Sequence, residues 1–213
     1  MGGVGALGYT HRVQILLILC HPLEGSFNHA VARRASQTLA ASGHEVRFHD
    51  LYEEGFDPVM PGPEFRRGVS FDEQVVRHTR ELASAGGLVF VHPEWWGQPP
   101  ALLKGWADRV LRPGVAYEPA DAELPEQNPA PLLGGKSALV FATRDEPGRT
   151  GLLERVWLEG VFAFCGLSGS CHVLHGLRRL GPAERNAWLE LVAQTVVRAF
   201  PAAGLAGRPA AAG

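Results

Sequence analysis

The run Ile15-Leu-Leu-Ile-Leu-Cys20 is apolar throughout and breaks abruptly at His21-Pro22, after which Ser26 opens a segment of helical spacing. A strand that is apolar on every side chain is buried on both faces, as in a parallel sheet covered by helices. This break constrains the chain more than any other feature. A central strand feeds a turn, and the turn feeds a helix N-terminus whose first amide groups are open to an anion.

The rest of the chain repeats the alternation. The first helix places Phe27, Ala30, Val31, Ala35, Thr38 and Leu39 on one side and ends at Gly43. A short strand follows at 45–50, then a stretch from Leu51 to Ser70 that Pro58, Pro61 and Pro63 mark as a long irregular loop. A helix is expected over 72–83. A buried strand over 88–91 breaks at His92-Pro93, and a helix after Pro99-Pro100 is stopped by Pro113. A Pro-rich acidic segment runs to Pro131. The fourth strand begins at Ser137, and the helix after it carries Leu153, Val156, Trp157, Val161 and Phe164 on its apolar side. A last strand over 170–174 precedes a helix over 182–200.

Five strand–helix units predict an α/β, three-layer, doubly wound sheet of five parallel strands in the flavodoxin-like order 2-1-3-4-5. One domain over 1–213 is expected, with flexible tails at about 1–11 and 202–213, because 213 residues at 46% hydrophobic content suit a single core. In this topology a ligand lies beyond the C-terminal ends of the strands, so the loops after strands 1, 3 and 4 should build the site.

The bulk properties exclude several classes. A net charge of -2 without long single-sign runs gives no electrostatic reason to expect nucleic acid. Leu19 precedes Cys20 where signal cleavage needs a small residue, and no stretch approaches the ~20 apolar residues of a membrane span. Three cysteines without a Cys-x-x-Cys pattern read as buried free thiols in a reducing, cytoplasmic setting.

The first loop, His21 to Asn28, has no Gly-x-Gly-x-x-Gly, so the dinucleotide fingerprint is absent. Ser26 and Asn28 offer donors beside a helix N-terminus, although Ser26 serves equally well as a simple helix cap. The second loop, His92-Pro-Glu-Trp-Trp-Gly-Gln-Pro-Pro100, sets two large aromatics at a strand end, where a planar ring is a fitting partner and a subunit contact is the competing one. Gly97 permits close backbone approach. In the third loop, from Thr143 to Gly148, Arg144 is suited to stabilise charge on a reduced flavin, or to pair with Asp145 or Glu146.

Three motifs together, His21-Pro-x3-Ser-Phe-Asn-x-Ala30, Pro93-x-Trp-Trp-Gly-x2-Pro100 and Leu103-Lys-Gly-Trp-x-Asp-Arg-Val110, resemble the NAD(P)H:quinone oxidoreductases of flavodoxin-like fold. This family includes DT-diaphorase-like enzymes and the ancillary subunits of potassium efflux systems. The resemblance implies bound FAD or FMN, NAD(P)H as reductant, a quinone-like acceptor, and a homodimer with the active site at the subunit contact. It assigns His21, Ser26, Phe27, Asn28 and Ala30 to the flavin phosphate region. Pro93, Glu94, Trp95, Trp96 and Gly97 would border the ring, and Thr143, Arg144 and Asp145 its pyrimidine edge. Trp96, Tyr117 and Arg144 would face the acceptor or hydride pocket. The exchange implied has two steps, NAD(P)H delivering hydride and leaving before the acceptor enters. Animal members carry Thr-Thr-Gly-Gly, then a Tyr and a His, after strand 4. Here the loop reads Thr143-Arg-Asp-Glu-Pro with no Tyr or His before the next helix.

Three other readings fit parts of the chain. A one-electron flavodoxin-type carrier shares the fold but is usually smaller and strongly acidic. A metal hydrolase would join His21 and His92 with Glu24 and Glu94, leaving Trp95 and Trp96 without a role. A cofactor-poor regulatory subunit of the same fold would explain the altered third loop.

Overall fold

The structure, a computed structural model, describes residues 12–119, 129–146 and 151–202. The expected tails lie almost wholly outside these residues. Strands β1 (Gln14–Leu19), β2 (Glu45–Asp50) and β3 (Gly87–Pro93) alternate with helices α1 (Phe27–Ala41), α2 (Gly62–Arg67) and α3 (Glu73–Ser84). Next come α4 (Ala101–Val110), a two-residue hairpin of β4 (Tyr117–Glu118) and β5 (Ala130–Pro131), and β6 (Ser137–Thr143). The helix after β6 has three parts, α5 (Leu152–Arg155), a π-helical stretch over Val156–Phe162, and α6 (Ala163–Cys165). Strand β7 (Ser168–Leu174) and α7 (Pro182–Ala199) close the chain.

The main sheet is wholly parallel in the order β2-β1-β3-β6-β7, which is the predicted 2-1-3-4-5 order of its five strands. Alternate residues of β1 and β3 feed two cores. Leu16, Ile18, Leu88 and Phe90 pack with α3, α4 and the helix after β6. Ile15, Leu17, Leu19, Val89 and Val91 pack with α1 and α7. Both faces of the central strands are therefore buried, which is why those strands read as continuous apolar runs.

Three local expectations are corrected. Residues 51–70 are not wholly irregular, because α2 forms inside them. Pro63 stands in its first turn, where a missing N–H costs nothing, and Gly68 ends it at φ 66°. Prolines taken as breakers here start a helix. The hairpin of β4 with β5 was not signalled, each strand being two residues long. The helix after β6 buries Leu153, Trp157, Phe162 and Cys165 and leaves Phe164 half exposed, because the wider π turn shifts the buried face to a spacing of five between Trp157 and Phe162.

The motif at 103–110 fastens the 57–72 segment to α4. A Cβ on Gly105 would lie 2.3 Å from the Pro58 Cβ. Arg109, fully buried, donates to both Glu64 oxygens (3.1 and 2.7 Å), to the Asp57 carbonyl (2.7 Å) and to Asp72 (3.2 Å). The Arg109 hydrogen bonds hold the Glu64 carboxyl below its ordinary range. Trp106 Nε1 donates to His78 Nδ1 (2.8 Å).

Candidate active site

The C-terminal ends of β1, β3 and β6 open onto a cleft of about 770 Å³. Its wall includes His21, Pro22 and Leu23 from the first loop, Pro93 to Gly97 from the second, and Thr143 to Glu146 from the third. Leu152, Leu177 and Arg178 complete it. All three predicted loops therefore meet, as the strand order requires.

At the edge of this cleft stands the N-terminus of α1. Ser26 occupies the cap position in extended conformation but makes no side-chain cap bond, which removes the cap reading. The amide of Asn28, at the second helical position, is thereby left without the usual side-chain acceptor. Asn28 is buried, donates to Thr143 Oγ1 (2.8 Å), and has no partner for its Oδ1 among the described residues. The bond ties the helix start to the end of β6. At His21 the Leu23 amide donates to Nδ1 (3.0 Å), and burial, the largest influence, pulls the imidazole below its ordinary value. Phe27 lies under the Arg185 guanidinium, 5.8 Å from its ring centre, and Ala30 sits half-buried on the same helix. Ser26, Phe27, Asn28 and Ala30 are not in the wall of the cleft; Asn28 is tied to it through Thr143, and His21 lines it.

The second loop is a two-residue turn. Trp95 and Gln98 exchange both backbone hydrogen bonds at 3.0 Å, and the two central residues are left-handed, Trp96 at φ 56° and Gly97 at φ 74°. This is the pattern of a type I′ turn, which suits Asn-Gly or Gly-Gly. A tryptophan at its first central position is strained, by about 1–3 kcal/mol. Its side chain is 98% exposed. A side chain on Gly97 would strike Leu152, 2.4 Å from its Cδ2. The turn is thus held tightly at its base and presents a bare indole at its tip.

Arg144 makes the expected pair with Glu146 and a shorter one across to the second loop. It pairs with Glu94 (3.0 Å), whose side chain is almost wholly buried, and with Glu146 (3.6 Å). The pair joins the second loop to the third. The Glu94 amide donates to the Thr143 carbonyl (2.7 Å), doubling the link. Asp145 pairs with Arg178 (2.8 Å), and the Arg144 amide donates to the Leu174 carbonyl (2.8 Å). Residues 147 and 148 lie outside the described residues.

Two predicted residues are elsewhere. Tyr117 contacts Phe164 edge-on at 4.7 Å and lines a separate cavity of about 160 Å³ with Met60, Phe65, Arg112 and Pro113. His92 is fully buried. Its Nδ1 lies 2.9 Å from the Pro93 carbonyl, and its Nε2 accepts from Trp157 Nε1 (3.1 Å). Burial pushes it down to about 4. With both nitrogens engaged, it is not a ligand for a metal shared with His21.

A cluster missed in the sequence lies behind the site. His49 Nδ1 meets Glu54 (2.6 Å), His49 Nε2 meets Glu81, and His78 Nε2 meets Glu54 (3.0 Å). His49, Glu54 and His78 have the spacing of a metal site. The Trp106 N–H, however, points at His78 Nδ1, so neutral His78 carries its proton on Nε2 and has no lone pair there for a cation. The cluster reads as a buried network fastening the turn after β2 to α3.

Residues 13–199 match the flavodoxin-like fold family model. An uncharacterised NAD(P)H oxidoreductase of Haemophilus influenzae is 31% identical over 190 residues, covering 84% of this chain and 92% of that one. The rat NAD(P)H dehydrogenase [quinone] 1 is 28% identical over 175 residues, 71% of this chain and 64% of the rat enzyme. A Streptococcus mutans protein of known structure superposes with a TM-score of 0.77 at 28% identity, covering 87% of this chain and all of the other. On this match, the three loops and the strand order, the chain belongs to the flavodoxin-like fold family.

Proposed function

We propose that this protein is a flavin-dependent NAD(P)H oxidoreductase that reduces a quinone-like acceptor by two electrons. The observation that carries the reading is the cleft of about 770 Å³ at the ends of β1, β3 and β6, with an anion-ready helix start on one side and an exposed tryptophan on the other. The Haemophilus influenzae and rat relatives are named as an NAD(P)H oxidoreductase and an NAD(P)H dehydrogenase [quinone], which supports the same chemistry here.

The residues present fit a flavin. The orphaned Oδ1 of buried Asn28 is an acceptor in need of a donor, which a ribityl hydroxyl would supply. Trp95 and Trp96 offer stacking faces, and the amides around Thr143 to Asp145 offer donors. FMN and FAD both remain candidates. Bound here, the flavin would supply reversible hydride acceptance, from NAD(P)H and then to the acceptor.

The chain's own contribution is positioning. Glu94 and Arg144 lock the second loop to the third, so that the wall of the cleft is fixed before a ligand arrives. The Arg144 charge stands at the end of the cleft where the family resemblance puts the pyrimidine edge. No tyrosine or histidine occurs in the loop after Thr143, so that loop offers no side chain for a proton relay. Tyr117 would serve the cleft of a second copy, in a homodimer whose contact lies over the exposed loops. A cytoplasmic setting accords with three free cysteines, and among the described residues no helix is long and apolar enough to cross a membrane.

A visible spectrum of the purified protein tests this reading. A yellow protein with one flavin per chain is expected, and the double variant Trp96→Ala, Asn28→Ala should lose flavin on gel filtration while keeping its far-UV circular dichroism. Undiminished retention would remove these residues from the site.

A further inference from the structure

Two clefts flank the start of α1 and share His21 and Pro22. One is the flavin cleft. The other, about 680 Å³, includes His29, Arg33, Asp50, Tyr52 and Glu53 in its wall. From the wall of this second cleft a chain of three side chains runs to the helix start. Ser26 Oγ lies 2.8 Å from His29 Nδ1, and His29 Nε2 lies 3.1 Å from Asp50 Oδ2. The other Asp50 oxygen accepts from the amides of Tyr52 (3.1 Å) and Glu53 (3.3 Å). Backbone donors thus fix the carboxylate, and an ionised carboxylate only accepts.

The direction of the bonds follows. His29 Nε2 must carry the proton that meets Asp50. In neutral imidazole the other nitrogen is then a bare lone pair, so the Ser26 hydroxyl must donate to it. Ser26 in that state turns oxygen lone pairs, not a proton, toward the space before the helix. In the imidazolium both nitrogens carry protons. Nδ1–H then donates to Ser26 Oγ, and the hydroxyl proton is released toward an anion. The two states of His29 therefore convert Ser26 between an unfavourable and a favourable neighbour of a phosphate.

We infer that His29, oriented by Asp50, is a positioning residue that sets the direction of the Ser26 hydroxyl and makes anchorage of the flavin phosphate proton-linked. The inference rests on the flavin reading above, and the orphaned Oδ1 of buried Asn28 at the same helix start, a bare acceptor, points independently to a ligand that carries a hydroxyl donor beside its phosphate, as the ribityl chain does. By linkage, the factor by which the proton tightens phosphate binding is the factor by which phosphate tightens the proton.

The charged groups facing His29 come from every neighbouring segment. Asp50 on β2, Glu53 after it and Glu24 in the first loop favour the cation. Arg33, one turn along α1, opposes it, as does the positive end of the helix itself. His21, whose ring centre is 6.2 Å away, adds repulsion only when charged, and burial disfavours that. Tyr52 is neutral across the range of interest, its hydroxyl held above the ordinary value first by burial. A bound phosphate adds to the favourable set.

The test measures FMN and riboflavin affinity between pH 6 and 8.5, by flavin fluorescence, on the full chain freed of flavin. The wild type is expected to lose about tenfold more FMN affinity over this range than His29→Gln or Ser26→Ala. Titration of the phosphate itself is common to all three proteins and cancels. Riboflavin, which lacks the phosphate, should show no such difference. Equal FMN slopes in wild type and His29→Gln would overturn the inference and leave the flavin reading standing. Absence of FMN, FAD and riboflavin binding by the wild type would overturn both. Should His29→Gln fail to fold, histidine-labelled wild type answers by NMR. The His29 titration midpoint should be higher with FMN bound than with riboflavin bound, and an unchanged midpoint would contradict the proposal.

Discussion

His49 and Asp50 are consecutive residues of β2, yet they serve opposite layers of the molecule. His49 turns to α3 and meets Glu54 and Glu81, while Asp50 turns to α1 and meets His29. Alternation along a strand requires this division. Both sites are histidine–carboxylate networks, and they differ in how they end. The His49 network closes on itself through Glu54, His78 and the Trp106 indole. The Asp50 network ends on Ser26, a hydroxyl at a helix start with no cap bond to make. A buried polar network that satisfies all its members holds structure together, and one that stops at an open donor is poised to meet a ligand.

The comparison breaks in graded ways. The largest loss should follow Arg109→Met, in a second closed network, beside that of His49. It leaves the nearly buried Glu64 carboxylate unpaired, at a cost of about 3–5 kcal/mol in urea unfolding. His78→Leu leaves the Trp106 N–H without an acceptor and should cost about 1–3 kcal/mol, with FMN affinity unchanged. On the open side the order reverses. Asp50→Asn should weaken FMN binding about tenfold at pH 6, a larger effect than its shift in the urea midpoint.

A smaller effect separates the two networks by pH. Burial pulls His49 down, but hydrogen bonds and charge from Glu54 and Glu81 outweigh it, and the net displacement is upward. A histidine raised in the folded state contributes stability that is full below its ordinary value of about 6.5 and is lost as pH rises through the raised one. The advantage of wild type over His49→Gln should therefore be greatest near pH 6 and shrink above neutrality, read by urea unfolding at each pH. Least of all in stability, Trp96→Gly relieves a left-handed tryptophan and should stabilise the chain by about 1 kcal/mol while weakening flavin binding.

Much of this was legible in the sequence. The apolar runs of β1 and β3 gave the buried parallel strands, and strand order then brought the loops at His21, Pro93 and Thr143 together. Other features were hidden for physical reasons. The helix around Pro63 was masked because proline both breaks helices and begins them. The π turn at Val156–Phe162 shifted a face that a period of 3.6 places wrongly. Ser26 has the identity of a cap, and only its partner, His29, separates cap from relay. The Glu94–Arg144 pair spans 50 residues, so no local spacing signals it. The His49–His78 network was invisible for the same reason.

Reduction of a bound flavin tests the proposed activity most directly. Anaerobic mixing of the purified protein with NADH or NADPH should bleach the visible flavin band, and one equivalent of benzoquinone should restore it. A yellow protein that neither nicotinamide bleaches, or a colourless protein that takes up neither FMN nor FAD, would contradict it.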